Sequence, residues 1–175
     1  MDPIRLYMKD FCSHSETEFS FEDFNSSLII GKIKGNDRFS NASGKSTIFN
    51  AIEYALFNEA QFSTLERIIR KDTNSCLVEM DFLSSLDNSI YRIRRSNSRK
   101  TGTDVRLFKK NGDDWEDLTQ RRASDTEKDI QKAIGFNYKV FCASSLFVQP
   151  GAENNTQKDF GNMPALTVEK RKAVL

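Results

Sequence analysis

Ser40-Asn41-Ala42-Ser43-Gly44-Lys45-Ser46-Thr47 is the stretch on which the fold turns. Behind it lies a compact apolar run, Ser27-Leu28-Ile29-Ile30-Gly31, whose form is that of a buried strand. Ahead of it, Ile48, Ala51, Ile52, Ala55 and Leu56 recur at helical spacing and predict one apolar stripe on a helix over residues 45–57. A Gly-Lys-Ser between a strand and a helix is the setting of a phosphate loop. Loop and helix N-terminal N–H groups can converge there on a phosphate, where the helix dipole also favours negative charge. In that reading Lys45 reaches the β- and γ-phosphates and the Ser46 hydroxyl ligates Mg²⁺. The full pattern asks for glycine where Phe39 stands, and the next candidate is Gly31, with twelve residues between it and Gly44 instead of four. Residues 32–39 therefore read as an eight-residue insertion that splits the loop.

Around that centre the chain reads as a β-rich α/β domain. Residues 4–11 and 17–21 predict two short strands joined by the polar Cys12-Ser13-His14-Ser15 turn. Cys76, Val78, Met80 and Phe82 alternate with Leu77, Glu79 and Asp81, a half-buried strand. Asp87-Asn88 and Asn111-Gly112 punctuate a meander through residues 91–95, 105–109 and 115–118, Asn-Gly being a strong hairpin signal. Ser124 with Glu127 predicts a capping box for a helix carrying Ile130 and Ile134, with Gly135 closing it.

Composition removes whole classes. The chain has 175 residues, 38% hydrophobic and 29% charged, with 14 Phe, enough apolar material for one folded core. Mean hydropathy is −0.58, and no stretch approaches the roughly 18 to 20 apolar residues of a membrane span. Three scattered cysteines, Cys12, Cys76 and Cys142, suit a reducing compartment rather than a disulfide framework or a zinc site. His14 is the single histidine, and no GxSxG accompanies it, which argues against His-rich metal clusters and Ser-His-Asp hydrolysis. Chemistry, if present, should involve phosphates and magnesium.

Net charge is +1, yet residues 91–110 carry eight basic residues against Asp104 alone. Arg92 and Arg94 alternate with Tyr91 and Ile93, so one strand face packs while the other presents guanidinium groups. With Arg99, Lys100, Arg106, Lys109 and Lys110 they form a candidate electropositive surface for the phosphate backbone of double-stranded DNA. The alternative is a solvated face that blunts an edge strand. The segment Leu77-Val78-Glu79-Met80-Asp81-Phe82 lacks the unbroken apolar run and following Glu of a Walker B strand, and reads as a plain strand.

These pieces, in order, resemble a family. Asp10-Phe11-Cys12-Ser13-His14, Leu28-Ile29-Ile30-Gly31, the phosphate loop, Ile52-Glu53-Tyr54-Ala55-Leu56-Phe57, Ser145-Leu146-Phe147-Val148-Gln149 and Glu169-Lys170-Arg171-Lys172 together resemble the N-terminal ATPase lobe of SbcC-type proteins. These are SMC-like, ABC-type ATPases of DNA double-strand-break repair. The resemblance implies an α/β fold, an antiparallel meander plus a strand–P-loop–helix core, incomplete until a C-terminal lobe supplies signature and Walker B. It implies an N-terminal lobe over residues 1–166, a helix leading to a coiled coil from 167–175, and a sequence that is a fragment.

Carried over, Asn41, Ala42, Ser43, Gly44, Lys45, Ser46 and Thr47 would hold the phosphates of ATP. Lys45 and Gln149 would serve catalysis, and Ser46 with Gln149 would ligate Mg²⁺. Ser13 and His14 would lie near the nucleotide, and Ile69, Arg70 and Lys71 occupy the region that approaches the base. His14 also reads as a turn-stabilising hydrogen-bond donor. Cys12 departs from the family, which shows a basic residue there. The implied function is an ATP-driven homodimer that binds DNA and regulates an SbcD-type nuclease subunit, with no membrane, in the cytoplasm or a eukaryotic nucleus. The alternative is an SMC- or RecF-like recombination ATPase with no nuclease partner.

Overall fold

The computed structural model describes residues 1–22, 28–30, 44–59 and 65–144. Six strands form one antiparallel sheet in the order β2-β1-β3-β4-β5-β6. They are β1 (Asp2–Phe11), β2 (His14–Ser20), β3 (Ser75–Leu83), β4 (Ile90–Ser98), β5 (Gly102–Asn111) and β6 (Asp114–Asp117). Helix α1 (Lys45–Phe57) lies between β2 and β3 in sequence, and a 3₁₀ turn (Leu65–Ile68) follows it. Helices α2 (Ala123–Ile134) and α3 (Tyr138–Ser144) come after the sheet.

The period-2 pattern decides which face is covered. Leu6, Met8, Val78, Met80, Phe82, Ile93, Val105 and Leu107 project to one side and are buried. There they meet Ile48, Ala51, Tyr54, Ala55 and Leu56 of α1 and Ile130 and Ile134 of α2 in a single core. Helix α1 spans the residues its stripe predicted. Its burial is wider than the stripe, taking in Asn50, Glu53 and Tyr54 while Ile52 is half-buried.

Four local expectations are corrected. Leu28, Ile29 and Ile30 carry no strand, and Leu28 and Ile30 are 84% and 68% exposed. A buried strand needs paired neighbours and a covering layer, and among the described residues neither lies beside them; Ser27 and Gly31 fall outside those residues. The β5–β6 loop is Gly112-Asp113, not Asn111-Gly112, because Asn111 pairs with Asp114. Gly112 at φ 63 supplies the positive φ at the first loop position that a type II′ hairpin requires.

The capping box does not form either: Arg122 caps α2 without a side-chain bond. Glu127 instead binds Arg95, which is fully buried and reaches Glu127 through Nη1 and, at 2.7 Å, through Nη2. A cap is worth about 1 kcal/mol, whereas leaving a buried guanidinium unpaired costs several, so the distant partner wins. Gly135 does close α2, its N–H donating to Gln131 O at 3.0 Å.

The fourth correction concerns the basic cluster. On the outer face, Asp81 stands opposite Arg92 and Arg5, and Glu79 opposite Arg94. Arg92 grips Asp81 through two bonds of 2.6 and 2.7 Å and lies 4.1 Å over the Trp115 ring. Arg94 meets Glu79 at 3.3 Å, and Arg106 meets Asp104 at 3.4 Å. Lys109 pairs with Asp87 at 3.0 Å and, with its hydrogen bond, holds that carboxyl well below the usual range. The run is basic along the chain, but Asp81, Glu79, Asp104 and Asp87 pair Arg92, Arg94, Arg106 and Lys109 once it is folded. Glu79 and Asp81 being spent in this way, β3 is a plain strand, as its sequence reads.

Candidate phosphate-binding site

Strands β1 and β2 pair up to Phe11 and His14, which leaves Cys12-Ser13 as the loop between them. Cys12 sits at φ 51 and Asp10 likewise, so the chain turns sharply. One flank of this turn is held by residues 68–70: Cys12 N–H donates to Ile68 O at 2.7 Å, Arg70 N–H donates to Asp10 O at 2.8 Å, and Phe11 bridges Ile69. The other flank meets the start of α1. His14 Nε2 lies 3.1 Å from Gly44 O, and its Nδ1 lies 2.9 Å from Thr17 Oγ1.

Gly44 is the N-cap of α1 at φ 83, in the left-handed region that glycine enters without strain. A Cβ there would stand 2.6 Å from Ser13 Oγ and 2.8 Å from His14 Nε2, so the seat admits no side chain. No side-chain cap and no acidic residue serve the first turn of α1. The first-turn amides of a helix have no intrahelical acceptor. Here they stand beside Lys45 and the exposed Ser46, an arrangement suited to an anion.

The structure thus brings Ser13, His14, Gly44, Lys45, Ser46 and Thr47 to one junction, with residues 68–70 against the same turn. Ile69 is buried at 4% exposure, so its side chain belongs to the core. Arg70 is half-buried and Lys71 exposed. Asn41, Ala42, Ser43 and Gln149 lie outside the described residues. Of the basic residues, Arg99 and Lys100 occupy the β4–β5 turn, where Arg99 Nε donates to Thr73 O at 3.1 Å. Burial pushes the Cys12 thiol up to about 12 and the Cys76 thiol to about 11, so neither is a nucleophile near neutral pH.

Two residues escaped the sequence. Thr17 holds His14 through a contact that turn composition does not announce. Arg95 ties β4 to α2 through Glu127 and to α1, its Nε donating to Ala55 O at 2.7 Å. Its signal was strand parity, since Arg95 shares a face with buried Ile93.

The family described as "AAA domain" matches residues 5–172. The chain is similar to the DNA double-strand break repair Rad50 ATPase of Methanopyrus kandleri, 26% identical over 98% of this chain and 18% of the relative. It is likewise similar to the protein of that name from Thermoplasma volcanium, 32% identical over 84% of this chain and 15% of the relative. It therefore spans less than a fifth of the length of either curated relative. In fold it resembles the ATP-bound recombination mediator protein RecF, with a TM-score of 0.52 and 17% identity over 68% of this chain and 28% of that one. The resemblance to SMC-like repair ATPases is borne out, and with it the α/β architecture of an N-terminal ABC-type ATPase lobe.

Proposed function

We propose, from the premise that the chain belongs to the AAA domain family, that it is the ATP-binding N-terminal lobe of an SMC-like ATPase head in DNA repair. The observation that carries this reading is the junction itself. A left-handed Gly44 is seated against Ser13 and His14 and followed by a helix start with neither side-chain cap nor first-turn acid. Lys45 would bind the β- and γ-phosphates, and residues 41–47 would cradle them. The residues fit Mg²⁺, since the Ser46 hydroxyl is exposed at the first turn; Ser46 with Gln149 would hold the ion, which when bound screens phosphate charge.

Hydrolysis needs carboxylates to hold the metal from its second side and to orient water. Glu79 and Asp81 are engaged by arginines on the far face of the sheet, so they do not provide them. A C-terminal lobe would, and the exposed Leu28 and Ile30 suit coverage by it. In this reading residues 1–166 form the lobe and 167–175 begin a helix towards a coiled coil. The completed head dimerises on ATP, engages duplex DNA and regulates an SbcD-type nuclease, in the cytoplasm or, in a eukaryote, the nucleus. Among the described residues no helix is long and apolar enough to cross a membrane. For DNA, Arg99 and Lys100 on the β4–β5 turn are the stronger candidates, since Arg92, Arg94 and Lys109 are bound to Asp81, Glu79 and Asp87.

The test is Mg²⁺-dependent ATP hydrolysis by the full-length protein and its Lys45→Ala variant. Loss of about 100-fold or more in kcat is expected when a cation that stabilises the transferring phosphate is removed. Turnover at the wild-type rate would refute the assignment.

A further inference from the structure

We infer that His14 is a positioning residue that aims the phosphate loop by holding the Gly44 carbonyl. This rests on the phosphate-site reading above. A neutral imidazole carries one N–H, and a carbonyl can only accept. The 3.1 Å contact from Nε2 to Gly44 O therefore places the proton on Nε2. Nδ1 is then an acceptor, and the Thr17 hydroxyl, 2.9 Å away, donates to it. The Gly44 carbonyl, which can only accept, selects the tautomer, Thr17 steadies the ring from its other nitrogen, and His14 and Thr17 both sit on β2, which is paired with β1 along its length.

The consequence reaches Lys45 through the peptide plane. In a trans peptide the C=O of Gly44 and the N–H of Lys45 point in opposite directions. Holding the carbonyl toward His14 turns the Lys45 N–H away from the hairpin, as the first donor of the α1 N-terminus. The same carbonyl accepts the Thr47 N–H at 3.1 Å, so its direction also sets how the helix begins. The missing Cβ is part of the device. Gly44 lies so close to Ser13 and His14 that hairpin and loop meet backbone to side chain, with 2.8 Å from Nε2 to where a Cβ would stand. The contact joins residues 30 apart, so it is tertiary and not a turn-local bond.

The experiment measures affinity of the full-length protein for a fluorescent ATP analogue in four variants, with thermal midpoints recorded alongside. His14→Ala is expected to bind about tenfold more weakly, the worth of one well-made hydrogen bond. His14→Gln, whose amide can donate to the same carbonyl, is expected to recover most of that loss. Thr17→Val keeps the ring but removes the bond that steadies it at Nδ1, and about threefold weakening is expected; it also serves if His14→Ala fails to fold. Lys45→Ala is the control for the site itself. If Lys45→Ala binds as wild type, the phosphate-site reading fails. If Lys45→Ala loses binding while His14→Ala and Thr17→Val both retain wild-type affinity and midpoint, the positioning role is overturned and the site stands. Nitrogen chemical shifts of His14 give an independent arm: protonated Nε2 supports the role, and protonated Nδ1 contradicts it.

Discussion

The outer face of the sheet and the junction of hairpin and helix α1 are both rich in polar groups, and they use them in opposite ways. On the sheet, Asp81 and Glu79 of β3 stand between Arg5 of β1 and Arg92 and Arg94 of β4, so neighbouring strands carry opposite signs. Charge there is consumed in pairs. At the junction, the first turn of α1 has neither side-chain cap nor acid, and the Gly44 carbonyl is held from the hairpin by His14. The difference teaches that a run of like charge along a sequence does not make a charged surface. A binding site shows itself where donors gather at a helix start whose first turn holds no acid.

The comparison breaks most visibly at Arg95, a cation of the basic run that is fully buried in the core. Arg95→Ala removes the pair with Glu127 and the bond to Ala55 O, and should cost about 3 kcal/mol of folding stability in urea denaturation. A loss under about 1 kcal/mol would mean that the buried pair is merely tolerated.

The buried thiols sharpen it through pH. Burial raises Cys12 to about 12 and Cys76 and Cys142 to about 11, from a reference of 9.0. A raised folded-state value stabilises below the unfolded pKa and is lost as pH climbs through the folded one. Stability should therefore fall between about pH 9 and 12, and alkylation at pH 8 should be slow for all three thiols until the chain is unfolded. Rapid labelling of the folded protein would show that these thiols are not shielded.

On the outer face, Arg92→Ala loses the Asp81 pair and the Trp115 stack together, an expected 1 to 2 kcal/mol, roughly, in the same denaturation assay. No change would mean the ladder is ornamental. Smaller still, replacing Arg99 and Lys100 together by Ala should reduce the salt slope of DNA binding by the full-length protein by about 2, one for each phosphate left without its cation. An unchanged slope would make the β4–β5 turn a solvated loop.

Much of the fold was legible because its signals are local. The stripe from Ile48 to Leu56 and the Gly-Lys-Ser before it bounded α1, and strict alternation found β3. What escaped depends on partners far along the chain. The Ser124 and Glu127 spacing obeys a capping rule, but the rule knows nothing of Arg95, 32 residues earlier. Eight cations in residues 91–110 look unopposed until strand pairing brings in Glu79 and Asp81. The apolar run at Leu28 to Ile30 says that something must cover it, and not what. At the candidate site the Gly44-Lys45-Ser46 junction and the Ser13-His14 turn were both readable, one from spacing and one from resemblance. That His14 touches the Gly44 carbonyl was not, because nothing in either segment names the other.

The most direct measurement is a titration of MgATP into isotopically labelled protein, followed at the backbone amides and the His14 ring. The account predicts large shifts at Gly44, Lys45, Ser46 and Ser13 and at His14 Nε2, with Arg92 and Arg94 on the outer face unmoved. Shifts centred on the outer sheet face, with the junction silent at saturating nucleotide, would contradict it.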